Sequence, residues 1–300
     1  MLNIIKYYKF WFTVSIAVLI LAIAALWTYG LNPGIDFKGG TLTQLTFTGN
    51  LPATADIQTV LRDNGINDAV IQPTDAKGVI IRTGPQEKEE HDKIMKALSD
   101  KFGELKEDQF TSIGPVIGKE LRAKAFYQLG LVSLGIILYI AYAFRKVSKP
   151  VSSWKFGWSA IISLIHDLLV VLGVFAVLGH FKGVEVDGLF VTALLTVLGF
   201  SVHDTIVVFD RIRENLRVRS GQSLPEIINS SINQTLIRSI NTTLTVVFVL
   251  TALLLFGGET IRYFVLALLV GIVAGTYSSI FIASPMLLLW HRWDSWRKGA

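Results

Sequence analysis

Six long runs of apolar residues alternate with polar stretches along the chain. The runs are Phe10–Tyr29, Ala125–Phe144, Phe156–Gly179, Gly188–Phe209, Ser239–Phe256 and Tyr263–Trp290. Each is close to the ~20 residues that an α-helix needs to cross about 30 Å of hydrocarbon. Two hydrophilic stretches, residues 31–122 and residues 210–238, interrupt the series. The pattern predicts an α-helical membrane protein with six transmembrane helices.

Composition strengthens this interpretation. Hydrophobic residues make up 51% of the 300 residues and charged residues only 17%, with a mean hydropathy of +0.51. A soluble domain usually has about 25% charged residues, so a disordered chain and a cytoplasmic enzyme are both excluded. The chain has no cysteine, so no disulfide or thiolate metal site stabilises any part of it.

Charge is distributed unevenly and orients the helices. Residues 31–122 carry a net charge of −3, whereas the rest of the chain carries +8. The loops on one predicted side hold fourteen basic residues: Lys6, Lys9, Arg145, Lys146, Lys149, Lys155, Arg211, Arg213, Arg217, Arg219, Arg238, Arg292, Arg297 and Lys298. The short segments on the other side hold three: Lys124, Lys182 and Arg262. Because basic loops stay cytoplasmic, we expect both termini inside, residues 31–122 outside, and no nucleic-acid partner despite the basic pI.

The first apolar run has two interpretations, a cleaved signal peptide or a permanent anchor. Small residues at Ala22, Ala24 and Ala25 suit a cleavage site. The run is nevertheless longer than the 7–15 apolar residues of a signal-peptide core. An uncleaved anchor is favoured.

The long polar insertion predicts a small mixed domain. Its expected elements are a strand at Thr41–Phe47, a helix at Ala53–Asn64, strands at Ala69–Gln72 and Val79–Arg82, a helix at Pro85–Phe102 and a strand at Gln109–Ile113. The order β-α-β-β-α-β is that of an α+β ferredoxin-like fold. We therefore divide the chain into a first helix (1–30), an extracytoplasmic ferredoxin-like domain (31–122) and a five-helix bundle (123–300). His91 is expected to be a surface residue.

Charged residues inside the predicted spans are the candidate functional groups. Asp204 lies about five residues from the inner end of the fourth span, and Arg238 enters the fifth span from the same side. An ionisable group at mid-membrane costs about 2.5–3.5 kcal/mol, so it usually faces a bundle interior or a water path. An Asp204–Arg238 pair is either a structural ion pair or a proton-loading carboxyl whose pKa Arg238 modulates. Arg238 stays charged and cannot itself carry the proton.

Other polar groups have weaker signals. His166, Asp167 and His203 are candidate supporting groups, and for both histidines a hydrogen-bonded packing role is favoured over proton relay. Asp210, a further candidate, begins a charged helical extension with Arg213, Glu214 and Arg217 at i,i+3 and i,i+4 spacing. Gly271, Gly275 and Ser279 predict close helix packing.

The common catalytic and nucleotide-binding sequence motifs are absent from the sequence. The sequence contains no Walker loop, HExxH, GxSxG or dinucleotide fingerprint. We therefore expect no enzyme activity, no cofactor and no metal. Any energy source is expected to be an ion gradient, unless the work is done by another protein.

Four motifs carry a family resemblance that covers essentially the whole chain. They are GIDFKGG at 34–40, with Asp36, Gly39 and Gly40; SIGPVIG at 112–118; SVHDTIVVFDRIREN at 201–215; and QTLIRS at 234–239. In these, and in its one helix–long loop–five helix order, the chain resembles the SecF family. SecF proteins are the smaller membrane subunits of bacterial SecD–SecF preprotein-translocase accessory complexes, within the resistance-nodulation-division (RND) superfamily.

The resemblance implies a function that the residue pattern alone does not. It implies a proton-motive-force-dependent subunit of the bacterial cytoplasmic (inner) membrane that works with SecD and the SecYEG channel on unfolded exported polypeptides. Further accessory membrane subunits and membrane lipid are the other implied partners. The family's proton-pathway residues match Asp204 and Arg238. Two alternatives remain open, half of an RND-type small-molecule exporter and a passive scaffold for a channel.

Overall fold

The computed structural model describes residues 2–74, 77–145, 152–219 and 221–297. Three basic residues of the charge pattern, Lys146, Lys149 and Lys298, lie outside these ranges. The chain divides into two compact units. One combines Met1–Asn32 with Gln128–Ala300 and is called the membrane unit; the other, Pro33–Tyr127, is called the polar unit.

Fourteen helices and strands follow one another in the described residues. They are α1 (Tyr8–Tyr29), α2 (Ile35–Lys38), β1 (Gly40–Phe47), α3 (Thr54–Asp63), β2 (Val70–Pro73), β3 (Gly78–Thr83), α4 (Lys88–Phe102), β4 (Leu105–Ile113), α5 (Pro115–Ala143), α6 (Ser153–Lys182), α7 (Gly188–Val218), α8 (Leu224–Phe256), α9 (Glu259–Ser278) and α10 (Ser284–Arg297). A 3-10 turn, Ile5–Tyr7, precedes α1, and a π-helical turn, Ser279–Ala283, joins α9 to α10.

The predicted six membrane helices are confirmed. Six helices in the described residues are long and apolar enough to cross a membrane: α1 with its 3-10 turn, α5, α6, α7, α8, and α9 continued through α10. The chain is a multi-pass membrane protein. The charged helical extension predicted from Asp210 is confirmed, because α7 continues to Val218, and α8 already begins at Leu224 within the polar stretch. Charged residues at i,i+3 spacing, such as Arg211 with Glu214 at 2.6 Å, support this polar helix beyond the apolar run.

Local capping explains where two of these helices begin. The carboxylate of Asp187 accepts a hydrogen bond of 2.8 Å from the backbone N–H of Phe190 at the start of α7. At the start of α8, Ser223 and Glu226 form a capping box, with the Ser223 N–H donating to Glu226 over 3.0 Å. Both arrangements satisfy backbone donors that the first helical turn leaves free.

The polar unit contains a four-stranded antiparallel sheet in the order β2-β3-β1-β4. With α3 and α4, its elements follow one another as β-α-β-β-α-β, as the sequence predicts. Thr43, Leu45 and Phe47 point to one face of β1 and are buried, which confirms the alternating pattern. Ile57 from α3 and Leu98 from α4 complete the core.

One prediction in the polar unit is wrong. His91 is not a surface residue, because only 4% of it is exposed. Its Nε2 lies 3.0 Å from the Glu107 carboxylate, and its ring centroid is 3.9 Å from that of Phe110. α4 begins at Lys88 instead of Pro85, and the helical positions of Ile94 and Leu98 place His91 on the face that covers the sheet.

The membrane unit packs through aromatic side chains and small residues. Phe144, Phe156 and Phe209 are buried with ring centroids 5.1–6.0 Å apart. Elsewhere glycine permits close contact: a Cβ on Gly173 of α6 would lie 2.6 Å from Ala22 of α1. Such small-residue contacts let membrane helices approach where no hydrophobic driving force exists between them.

Candidate functional site

A buried carboxylate lies where α6, α7 and α9 meet. Asp167 of α6 is 0% exposed. Its Oδ2 accepts hydrogen bonds from Ser201 of α7 at 2.6 Å and from Ser278 of α9 at 2.8 Å. Its Oδ1 lies 3.1 Å from Nδ1 of the neighbouring His166. Because each partner is itself buried, these bonds join three membrane helices around one ionisable group.

Further hydroxyl groups extend this polar network. Ser163 of α6 donates to Ser278 over 2.7 Å. Thr205 of α7 and Ser279 are 2.8 Å apart, and Ser279 also donates to the Ser201 carbonyl at 3.3 Å. All of these side chains are buried. Hydrogen bonds from Ser and Thr hydroxyl groups to a neighbouring helix commonly contribute to helix association inside membranes.

The π-helical turn begins at this network. Ser279 is its first residue, and Ser284, five positions later, donates to the Ser279 carbonyl at 2.9 Å. A π turn interrupts the regular i→i−4 ladder and places an extra residue in the helix, and such turns occur frequently at functional sites. Here it puts Ser278 and Ser279 against different neighbours, α6 and α7.

Asp204 is the second buried carboxylate, on α7. It is 7% exposed, and its Oδ1 accepts a hydrogen bond of 2.7 Å from Ser239 of α8. Its Oδ2 is buried and has no hydrogen-bond partner among the described residues. Asp204 therefore has one oxygen fixed by α8 and one with free acceptor capacity.

The Asp204–Arg238 pair that the sequence allows is not formed in this structure. No ion pair joins the two among the described residues, and the Arg238 side chain is exposed. Arg238 and Ser239 are adjacent on α8, so their side chains point about 100° apart. Since Ser239 faces Asp204, Arg238 faces outward.

The remaining candidate groups separate by burial. His166 is 3% exposed and bonds Asp167, in keeping with the favoured packing role, but its Nε2 is buried without a partner. His203 is exposed on α7. Asp210 is also exposed and forms an ion pair of 2.7 Å with Arg213. Thus His203 and Asp210 lie outside the buried network.

The sequence analysis ranks Asp167 below Asp204 as a candidate, and it misses the partners of Asp167, Ser201 and Ser278, together with Ser163, which bonds Ser278. Hydroxyl residues are common in membrane helices, and nothing in their spacing shows which face a carboxylate. The small-residue run from Gly271 through Gly275 is the one signal that pointed to this face of α9. A Cβ on Gly275 would lie 2.8 Å from the Ser201 Cβ, so this close packing is confirmed.

The glycines of the 34–40 motif occupy a tight corner of the polar unit. Asp36 lies in the one-turn helix α2, and Gly39 ends it with φ +78°. A Cβ on Gly39 would lie 2.9 Å from Pro115, and one on Gly118 would lie 2.8 Å from the Gly39 nitrogen. The 34–40 and 112–118 motifs therefore pack against each other.

A metal centre is not apparent in the part of the chain that the structure describes. No group of three or more His, Asp or Glu side chains there is arranged to hold a metal ion. What the described residues show at this site is hydrogen bonding of serine hydroxyl groups to two buried carboxylates.

Residues 93–293, which contain the whole network, match the family described as protein export membrane protein SecD/SecF, C-terminal. Residues 24–50, which contain Gly39 and Gly40, match the SecD/SecF GG motif. The chain belongs to the SecD/SecF family.

Members of the SecD/SecF family resemble this chain over nearly its full length. Protein translocase subunit SecF of Thermobaculum terrenum is 48% identical, with 98% of this chain and 95% of that protein covered. Protein translocase subunit SecF of Anaerolinea thermophila is 41% identical, with 100% and 98% covered.

A solved structure in the SecD/SecF family shares the fold. The crystal structure of SecDF, a translocon-associated membrane protein from Thermus thermophilus, matches with a TM-score of 0.83 at 33% identity. The match covers 97% of this chain and 39% of that chain. Protein translocase subunit SecDF of Bacillus subtilis is 35% identical, with 37% of that protein covered. This chain thus spans about two fifths of the length of these two SecDF proteins.

Proposed function

We propose that this chain is a SecF-type subunit of the bacterial protein-export machinery that uses the proton-motive force. It works with SecD beside the SecYEG channel and assists exported polypeptides as they cross the cytoplasmic membrane. Membership of the SecD/SecF family supports the export role, and the SecDF relatives, longer single chains that this one matches in part, support a SecD partner.

The topology proposed for this role places both termini in the cytoplasm and the polar unit outside. The excess of basic residues in the loops on the terminal side supports this orientation. The β-α-β-β-α-β order and antiparallel sheet of the polar unit support a ferredoxin-like domain. Along the chain, α1 precedes this unit and α5 begins within it.

One observation carries the proposal: Asp204 is buried in a membrane helix with Oδ2 free of hydrogen bonds among the described residues. A proton added to Oδ2 leaves the Ser239 hydrogen bond to Oδ1 intact. The carboxyl can therefore change charge without first breaking a contact in this unit. Charge cycling at this site is worth about 2.3 kcal/mol per proton per 100 mV, which suffices to bias a two-state rearrangement of packed helices.

Arg238 takes a different role from that of a permanent ion-pair partner. Its exposed position next to Ser239 places a fixed positive charge on α8, the helix whose Ser239 donates a hydrogen bond to Asp204. In this proposal it favours the ionised state of Asp204 when the helices rearrange and bring the two closer.

The test is proton flux in vesicles that contain this chain together with SecD. A pH gradient is applied, and internal pH is followed by a fluorescent indicator. We expect Asp204→Asn to abolish the SecD-dependent flux and the gradient-dependent stimulation of export, while co-purification with SecD is retained. The matched control is Asp210→Asn on the same helix, because Asp210 is exposed and pairs with Arg213.

Flux by the Asp204→Asn variant equal to that of the wild type would refute proton loading at this carboxyl. Export stimulated without any gradient-dependent flux, in wild type and variant alike, would favour the passive scaffold instead.

A further inference from the structure

An open apolar groove runs along the membrane unit between α1, α6 and α10. Its volume is about 620 Å³. Its walls include Phe12, Ile16 and Leu19 of α1, Ile162 of α6, and Met286 and Leu289 of α10. The distance from Lys9 to Leu19 along α1 is about 15 Å at 1.5 Å per residue, so the groove extends over about that length of the helix. None of the six residues named bonds Asp204 or Asp167.

One end of the groove is positively charged. Lys9 lines it, its side chain is exposed, and its ammonium has no ion pair among the described residues. Tyr8, which also lines this end, accepts a hydrogen bond of 2.8 Å from the guanidinium of Arg292. The described residues that line the groove include no Asp or Glu. Lys9 therefore lies at one end of the groove, and Arg292 contacts a residue that lines the same end.

The inner wall of the groove carries polar atoms that the protein only partly satisfies. His166 lines it and is 3% exposed, and its Nε2 has no hydrogen-bond partner among the described residues. Ser15 lies in the same wall, 3.0 Å from the Tyr277 hydroxyl. A buried imidazole nitrogen without a partner is costly next to hydrocarbon and usually receives a hydrogen bond from water or a ligand.

We propose that this groove is a binding site for one anionic phospholipid. One acyl chain lies along Phe12, Ile16 and Met286, and the phosphate lies at Lys9, next to Arg292. Basic pockets between membrane helices are a recognised site for anionic headgroups, whereas an apolar groove with no charge at its end would not select among lipids. A protein helix of a partner would fill the apolar part but would leave Lys9 without an anion.

Occupancy of the groove bears on the polar network through one residue. His166 lines the groove and bonds Asp167 through Nδ1. A lipid in the groove therefore lies against the residue that bonds Asp167. This connects the lipid around the protein to the packing of α6 against α7 and α9.

The experiment measures lipid retention by native mass spectrometry of the full chain in detergent micelles. Phosphatidylglycerol and phosphatidylcholine with the same acyl chains are titrated separately. We expect one phosphatidylglycerol to be retained at least fivefold more tightly than phosphatidylcholine. Lys9→Gln should remove about fivefold of that affinity, since one basic residue near the headgroup is worth about 1 kcal/mol.

Two pairs of variants make the test specific. Ile16→Trp should fill the groove and abolish retention, whereas Val18→Trp, which is exposed on α1 outside the groove, should not. Lys182→Gln removes an exposed charge at the opposite end of α6 and should leave retention unchanged.

Four outcomes would overturn the proposal. Equal retention of the two lipids would remove the role of Lys9, and so would equal effects of Lys9→Gln and Lys182→Gln. Full competition by glycerol phosphate would show an anion site without an acyl chain. A dimer of the chain whose mass disappears in Ile16→Trp would show that a second copy occupies the groove.

Discussion

Ser201 and Gly275 are in direct contact, and a Cβ on Gly275 would lie 2.8 Å from the Cβ of Ser201. Ser201 also donates its hydroxyl to Asp167. One residue of α7 is thus both the surface against which α9 packs and a link to α6. The missing side chain at Gly275 brings α9 close enough for Ser278 to reach the same carboxylate at 2.8 Å.

Replacing Gly275 should therefore disrupt packing and polar contacts together. We expect Gly275→Ala to destabilise the protein by about 1–3 kcal/mol, the usual cost of overpacking. The matched control is Gly199→Ala on α7, where a Cβ meets nothing within 4 Å. That change should be neutral or stabilise by up to about 1 kcal/mol through helix propensity. Thermal unfolding of the two variants in the same detergent tests this; equal melting temperatures would contradict it.

The two buried carboxylates should respond differently to the same substitution. Asp167 accepts from Ser201 and Ser278 through Oδ2, and its Oδ1 contacts His166, so Asp167→Asn places an NH2 group against either the two hydroxyl donors or the imidazole and should cost about 1–3 kcal/mol of stability. Among the described residues Asp204 has only the Ser239 hydrogen bond, so Asp204→Asn should leave the melting temperature nearly unchanged. Proton flux per folded molecule should show the reverse order, with only Asp204→Asn inactive. Loss of flux in both variants at equal stability would mean that Asp167 also carries protons.

The sequence predicted the fold better than the site. The six apolar runs predicted the membrane helices, and the alternation of Thr43, Leu45 and Phe47 predicted the buried face of β1. Both are local signals, because a long apolar run and a period of two are visible among neighbouring residues. Which side chains meet across helices depends on the rotation of each helix about its axis. That rotation places Ser239 instead of Arg238 against Asp204. A rotation of α8 by about 100°, one residue position, would place Arg238 there instead.

His91 shows the same limit in the polar unit. α4 is so rich in charged residues that a histidine near its start looked solvent-exposed. The helix nevertheless turns this position towards β4, where Glu107 supplies a hydrogen bond and Phe110 a ring contact. The alternation of β4 did not predict this, because the strand is longer than expected and most of its residues are exposed.

His91→Ala should loosen the polar unit. It removes a buried ring from Phe110 and leaves Glu107 without its partner, so a loss of about 1–3 kcal/mol is expected. Lys93→Ala, an exposed position on the same helix, is the control. Hydrogen exchange of peptides from α4 and β4 in the full-length protein is the measurement. Exchange that accelerates equally in both variants would show that the burial of His91 contributes nothing.

Asp108 should make the polar unit sensitive to acid. The β1–β4 register skips Asp108, which bulges between Glu107 and Gln109. There a hydrogen bond of 2.5 Å from Thr46, and then the ammonium of Lys106 at 3.1 Å, hold the pKa of Asp108 below its ordinary value of 3.8. A carboxyl with a lowered folded-state pKa stabilises above its unfolded pKa, and that contribution is lost as pH falls through the folded value.

Asp108→Asn should therefore weaken β4 at pH 6 and have progressively less effect below about pH 3.8. Hydrogen exchange of β4 peptides at pH 6 and pH 3, corrected for the intrinsic exchange rate, provides the comparison. Asp100→Asn on α4, for which no contact with Thr46 or Lys106 exists among the described residues, is the control. A constant difference between Asp108→Asn and wild type at both pH values would rule out this electrostatic origin.

Substitution of Gly39 in the 34–40 motif should destabilise the polar unit for two separable reasons. Gly39 and Gly103 both have positive φ, +78° and +86°. An alanine at either position costs about 1–2 kcal/mol, because a Cβ is strained in the left-handed region. Only at Gly39 does the new Cβ also meet backbone, with Pro115 at 2.9 Å, whereas around Gly103 nothing lies within 4 Å. Gly39→Ala should therefore destabilise the polar unit clearly more than Gly103→Ala does, as judged by protease resistance of the full-length protein. If the two variants are equally resistant, contact between the 34–40 and 112–118 motifs adds no stability and the glycine is needed for its backbone conformation alone.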